Sequence, residues 1–130
     1  MLAKNRMVRA HSLKNHTLIA DKCIESNSFL ARARGLIGRK VLEPGEGMLF
    51  PNCNDIHMWF MSIPIDVVFL KREGGSTDNG NFYSIVSTHS GVRPWRALPL
   101  RDGRASETLE LPEGTIARCV LKEGDRICIE

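Results

Sequence analysis

The sequence predicts a mainly β protein, a compact antiparallel sandwich or barrel with one amphipathic helix. Three observations lead there. About six short runs rich in β-branched and aromatic residues recur along the chain. Gly- and Pro-rich turns separate them. One stretch alone has a convincing helical period, so the sheet must supply most of the core. The chain has 130 residues with 25% charged and 42% hydrophobic side chains, which suits one folded domain.

Residues 1–14 are basic and read as a flexible arm, with 15–130 as a single globular domain. His16 to Glu25 carries Leu18, Ile19, Cys23 and Ile24 and predicts an opening strand with imperfect alternation. The period then changes. Phe29, Ala33, Leu36 and Ile37 fall on one face of a helix near residues 28–37, with Ser26 or Ser28 as its cap and Gly38 at its end. "EPGEG" is a turn by composition and "MLFP" a short strand after it.

Two apolar segments follow, Ile56 to Ile63 and Ile65 to Leu70, divided by Pro64. Both are short and rich in strand formers, so both predict strands. "REGGSTDNGN" is a polar hairpin tip, and "FYSIVSTHS" is the returning strand. "GVRPWRALPLRDGR" has little periodicity and predicts a loop. In "ASETLELP", Leu109 and Leu111 point inward and Thr108 and Glu110 outward, a half-buried strand. "EGTIARCVLKEG" predicts a short helical turn and "DRICIE" a last strand.

No run approaches the roughly 18 apolar residues that cross a bilayer. The basic N-terminus is not followed by an apolar stretch of the secretory kind, so a cytoplasmic protein is expected. Cys23, Cys53, Cys119 and Cys128 form no CxxC pair, and buried free thiols are expected over two disulfides. Residues 1–40 hold nine Lys or Arg against two acids, and the remainder nine against thirteen. That basic front end is either a solvated tail with a charged helix face or an attractant for phosphate.

The densest chemistry lies in "NDIHMWFMSIPIDVVFL", Asn54 to Leu70. Strand alternation puts His57, Trp59, Met61 and Ile63 on one face and Ile56, Met58 and Phe60 on the other. Asp66 sits among apolar neighbours, where a bare carboxylate would be very costly. It must pair with the backbone N–H groups of a nearby turn, with Arg34, or with His57. It either holds a loop or serves a pocket. His57 can be a core histidine satisfied by a carbonyl, a ligand-contacting or acid/base group, or a metal ligand beside Cys53. The third choice would need His89, Asp55 or Asp66 as a further ligand and lacks a recognised spacing, so neither a metal nor a cofactor is expected. Trp59 and Trp95 can be core residues or stacking platforms beside arginines, and "RPWR" lies in a loop, where binding residues concentrate. No GxSxG, P-loop or GxGxxG occurs, and no Cys has an evident His and Asn partner.

Taken in order, "RARGLIGR", "GEGMLF", "IHMWFMSIPIDVVFL", "PWR", "LELPEG" and "GDRI" resemble the domain of unknown function 192 family, over roughly Ile19 to Ile129. The resemblance is to a shorter subgroup with the pattern IHxxFMxxPID, although Ser62 stands where that pattern carries an arginine. It implies a compact β fold of sandwich or jelly-roll type and brings no enzyme name. Its motifs fall on Arg34, Gly35, Gly38, His57, Phe60, Met61, Pro64, Asp66, Pro94, Trp95 and Gly114. Many relatives carry an export signal, and none is evident here.

The function expected from these residues is a non-enzymatic module that binds a small ligand or a protein partner, with no membrane role. Its cleft would be walled by His57, Trp59, Phe60 and Met61, anchored by Arg34 and Asp66, and covered by the loop at Trp95. One alternative is an enzyme using His57 and Asp66 as an acid/base or orienting pair. Another is phosphate or nucleic-acid binding through the N-terminal region, including Arg32, Arg34, Arg39 and Lys40.

Overall fold

The computed structural model describes residues 6–26, 42–56, 63–74, 80–94 and 98–130. The expected helix near residues 28–37 lies outside them. Nine strands and one helix are described: β1 (Arg6–Ser12), β2 (Leu18–Glu25), β3 (Glu46–Pro51), β4 (Asp55–Ile56), β5 (Ile65–Arg72), β6 (Asn81–Val92), β7 (Leu100–Arg101), β8 (Glu107–Pro112), α1 (Thr115–Cys119) and β9 (Arg126–Ile129).

Seven strands close a barrel in the order β1-β2-β3-β8-β5-β6-β9, with β9 pairing back onto β1. Sandwich and barrel were both open from the sequence; the molecule is a barrel. β2 and β3 run parallel and the other barrel pairs antiparallel. A parallel pair needs a long crossover, and residues 26–45 connect these two strands. The small strands β4 and β7 pair with one another outside the barrel.

Residues 6–12, expected within a flexible arm, are instead a barrel strand. Val8, Ala10 and Ser12 are buried at alternate positions while Arg6, Met7 and Arg9 are exposed. Arg9 lies with Met7 and His11 on the outward face of a two-residue repeat, and Arg6, at the start of the strand, pairs with Glu25 of β2.

Alternation also sorts the core. Val68 and Leu70 of β5, Leu109 and Leu111 of β8, Tyr83 and Ile85 of β6 and Ile127 and Ile129 of β9 fill the barrel. Ile116 and Cys119 of α1 pack into the same cluster. A second cluster lies on the opposite face of the same strands: Met48, Phe50, Ile65, Val67 and Phe69, joined by Cys53, Ile56, Ile63, Val92 and Leu100. The β4–β7 segments therefore cover the outside of the barrel wall.

This cover corrects the expectation for β8. All six of its residues are buried, including Glu107, Thr108 and Glu110. Alternation correctly separates Thr108 and Glu110 from Leu109 and Leu111, but the face away from the barrel is roofed rather than wet. Each large apolar side chain fully buried in either layer is worth about 1.5–3 kcal/mol.

Among the described residues, no helix is long and apolar enough to cross a membrane.

Candidate functional site

Asp66 is fully buried. Its neighbours Ile65 and Val67 belong to the outer cluster, so its side chain falls on the barrel side of β5. One carboxylate oxygen, Oδ1, accepts the N–H of Gly91 at 2.9 Å. The other, Oδ2, accepts the N–H groups of Gly114 at 3.1 Å and Ile116 at 2.9 Å. These contacts explain two backbone irregularities. Gly91 has φ 60° and lies where the β5–β6 register shifts, between the pairs Ile65–Val92 and Val67–His89. Gly114, with φ 95°, caps α1 but has no side chain with which to do so. Asp66 supplies the missing acceptor from another element, satisfying an amide that a helix start leaves orphaned. Three of about four lone-pair sites on the carboxylate are thus taken by backbone amides.

The other predicted site residues, Arg34, His57, Trp59, Phe60, Met61 and Trp95, lie outside the described residues. The sequence did not single out what the structure places on the roofed face of the barrel wall. Glu110 of β8 and His89 of β6 both stand opposite Val67 of β5, and Met48 of β3 stands opposite Glu110. Met48, Glu110, Val67 and His89 therefore form one row across four strands, all on the outer face. Glu110 is 6% exposed, an acidic group inside an apolar layer. The His89 ring meets Phe69 edge-on, with centroids 5.6 Å apart.

A hydrogen-bonded chain runs from this histidine toward solvent. His89 Nε2 lies 3.2 Å from Ser87 Oγ. The Ser87 hydroxyl donates to Asp102 Oδ2 at 2.7 Å. Arg104 clasps Asp102, its Nε donating to Oδ1 at 3.1 Å, its terminal nitrogen to Oδ2 at 2.9 Å and its backbone N–H to Oδ1 at 3.0 Å. The Arg104 side chain, then the Ser87 hydroxyl and the Arg104 amide, hold the Asp102 carboxyl well below the usual carboxylate range, against the opposing effect of burial. In the next row, Thr108 Oγ1 donates to the Cys53 carbonyl at 2.7 Å, tying the cover to the wall.

Ser26, which follows β2, is 2% exposed. Its Oγ is the one buried side-chain polar atom without a hydrogen-bond partner among the described residues. Its backbone N–H continues the β2–β3 ladder by donating to the Leu49 carbonyl, so alternation turns its hydroxyl to the outer face.

A polar group at the far mouth of the barrel is closed on itself. Arg72 pairs with buried Glu107 at 3.2 Å and with the Tyr83 hydroxyl at 3.3 Å, and Ser106 Oγ donates to Glu107. All four cysteines are free and buried. No group of three or more His, Cys, Asp or Glu side chains among the described residues could hold a metal ion.

Glu110 was missed because strand alternation reports a face and not whether anything covers it. His89 stood out only as a remote candidate metal ligand. The Asp102–Arg104 clasp lies in "RDGR", where two opposite charges bracket a glycine in a segment without periodicity. That pattern is a local signal for a charge-stabilised turn.

The sequence model of DUF192, described as Uncharacterized ACR, matches residues 14–129. No curated protein matches the chain. Among solved structures, a candidate transcription regulator from Sinorhizobium meliloti 1021 is 21% identical with a TM-score of 0.70, covering 98% of this chain and 95% of that one. A protein of unknown function from Novosphingobium aromaticivorans DSM 12444 is 23% identical with a TM-score of 0.71, covering 95% of this chain and 84% of that one. At these identities the likeness is one of fold.

Proposed function

From the chain's membership of the uncharacterised DUF192 family, which carries no activity with it, we propose a non-enzymatic module that binds a small ligand or a partner on the outer face of its barrel. The observation that carries this is Glu110: a carboxylate 6% exposed, set in an apolar layer and in one row with His89. Apolar walls with a few placed polar groups are the usual makeup of a ligand site. Arg34, His57, Trp59, Phe60, Met61 and Trp95 belong to this reading as the expected wall and lid. Asp66 serves it from behind, as the pin that fixes the β6 bulge and the start of α1.

An acid/base role for Asp66 is less well supported, because three backbone amides already occupy its carboxylate. A role in nucleic-acid binding would draw on Arg6, which pairs with Glu25 at 3.1 Å within the barrel, and on basic residues outside the described ones. The name of the Sinorhizobium chain belongs to that protein. Four buried free thiols fit a reducing compartment such as the cytoplasm.

A thermal-shift screen over sugars, nucleotides, amines and metals tests the binding reading, since a ligand of the native state raises apparent stability. Hits are expected, and their shifts should vanish in Glu110→Gln while that variant still unfolds cooperatively. Shifts that survive both Glu110→Gln and His89→Gln would place the site elsewhere on the molecule.

A further inference from the structure

Val120 ends α1 in a conformation that glycine ordinarily takes. Its φ is 53° and its ψ 51°. Its N–H donates to the Ala117 carbonyl and the N–H of Leu121 to the Ile116 carbonyl, the two bonds of a Schellman ending. Backbone alone makes both bonds. Glycine would make them without the crowding that a branched side chain meets at positive φ. Packing does not offset that strain. Val120 is 50% exposed, while Ile116, Cys119 and Leu121 around it fill the barrel cluster.

Neighbouring groups hold the turn in place. Lys14 Nζ donates to the Val120 carbonyl at 3.3 Å and to Asp125 Oδ2 at 3.0 Å. Arg118 donates to the Ile19 carbonyl at 3.3 Å, and the Cys119 thiol reaches the Leu18 carbonyl at 3.9 Å. The start of β2 therefore lies beside the end of α1, and Leu18 is itself 39% exposed. The turn between β1 and β2 adds another non-glycine residue at positive φ, His16 at 57°. Strained residues fixed by their surroundings cluster at functional surfaces.

The carboxylates of these two segments are already engaged, Asp125 with Lys14 and Glu123 with Arg104. Arg118 and Lys122 are exposed and pair with no carboxylate among the described residues. The apolar pair is thus rimmed by unneutralised positive charge.

We propose that Leu18 and Val120 are the apolar anchors of a docking surface for an acidic segment of a partner protein. An aliphatic side chain of that segment lies on the two anchors, and its carboxylates meet Arg118 and Lys122. Val120, held at both its N–H and its carbonyl, loses little freedom on binding. An anionic membrane is the poorer match, because two aliphatic side chains bury little apolar area in lipid. Docking here is independent of ligand binding on the outer face of the barrel.

Val120→Gly separates strain from function. In the full-length protein it should raise the melting temperature by about 2–5 °C, because the left-handed turn is then unstrained. A fall would mean that the native structure itself uses the side chain, and would overturn the docking role. Heptapeptides displayed on phage are next selected on the immobilised wild type. Enriched sequences should carry Asp or Glu around an aliphatic residue. A fluorescein-labelled copy of the most enriched peptide should bind about tenfold more weakly to Val120→Gly and to Leu18→Ser, each still unfolding cooperatively. Its affinity should also fall with salt and in Arg118→Gln. Selection without acidic enrichment, or peptide binding that Val120→Gly leaves unchanged, overturns the proposal. Vesicles of phosphatidylcholine with phosphatidylglycerol, and sedimentation of the protein alone, test the other occupants. Vesicle binding lost in Val120→Gly would assign the surface to a membrane, and a dimer lost in that variant to a second copy. Either result overturns the acidic-peptide assignment.

Discussion

A buried carboxylate is tolerated only when its surroundings supply what water supplied. Asp66 receives three N–H donors from two segments that are distant in sequence. Asp66→Asn keeps the shape but replaces an acceptor oxygen by an NH2 group that faces backbone donors. Charge-assisted hydrogen bonds are worth roughly 1.5–3 kcal/mol each, and orphaned buried donors add a penalty. A loss of about 2–4 kcal/mol in urea unfolding is expected, with the largest amide-exchange increase at Gly91, Gly114 and Ile116. A loss below about 0.5 kcal/mol, the scale of ordinary surface substitutions, would mean that the three contacts are not acting as a pin. Asp102 tests the second carboxylate differently. Its folded pKa is depressed, so its stabilising effect is present above the ordinary carboxylate value near 3.9 and is lost as pH falls through the depressed one. Its carboxyl carbon should still report the ionised form below pH 3.9. In Arg104→Ala, which removes the leading cause of the shift, the midpoint should climb back toward that value.

Elements were legible wherever period and burial agree. β2, β8 and β9 fall within predicted runs, and β3, β5 and β6 overlap theirs and extend one or two residues beyond them. β1 was not, because Arg6, Arg9 and the neighbouring basic residues outweigh two small buried side chains, Val8 and Ala10. β4 and β7, two residues each, are too short to have a period at all. Asp66 was legible as an anomaly that needed partners. Its partners were not, since backbone amides carry no sequence signature. Glu110 and His89 were hidden for another reason: they become neighbours only when β5 is inserted between β8 and β6, a fact of topology. The strand status of β1 has a direct consequence. Deleting residues 1–12 removes a barrel stave and leaves β2 and β9 with open edges, which invite association. Loss of cooperative unfolding and concentration-dependent aggregation are expected, seen by circular dichroism and light scattering. A deletion that left a monomer of unchanged melting temperature would restore the segment to the status of an arm. Charge substitutions at exposed Arg6 and Arg9, rather than deletion, are therefore the proper probe of any phosphate affinity in this region.

Closure of the barrel makes the whole molecule respond to alkali. Burial first, and the nearby Glu25 carboxylate second, push the Cys23 thiol up to about 12. Burial likewise raises Cys119, Cys128 and the Tyr83 phenol, the last opposed by Arg72. A thiol in the unfolded chain ionises near 8.5. Between that value and the folded one, the unfolded state has released a proton that the native state still holds. Stability from Cys23 is thus fully present below about pH 8.5 and declines as pH rises toward 12. The slope from one such group reaches at most about 1.4 kcal/mol per pH unit. Between pH 7 and pH 10, urea unfolding of the wild type should lose about 1–2 kcal/mol more than that of Cys23→Ala, the remaining loss in the variant coming from the other raised groups. The same burial governs chemistry at the sulfur. Because the thiolate is the reactive form, alkylation of Cys23 at neutral pH should proceed only through opening of the barrel. Its rate should then follow urea in parallel with the unfolding equilibrium. A native-state rate independent of urea would mean that the barrel admits reagent without opening. The buried interior would then no longer account for the raised thiol, nor for the alkaline loss of stability predicted from it.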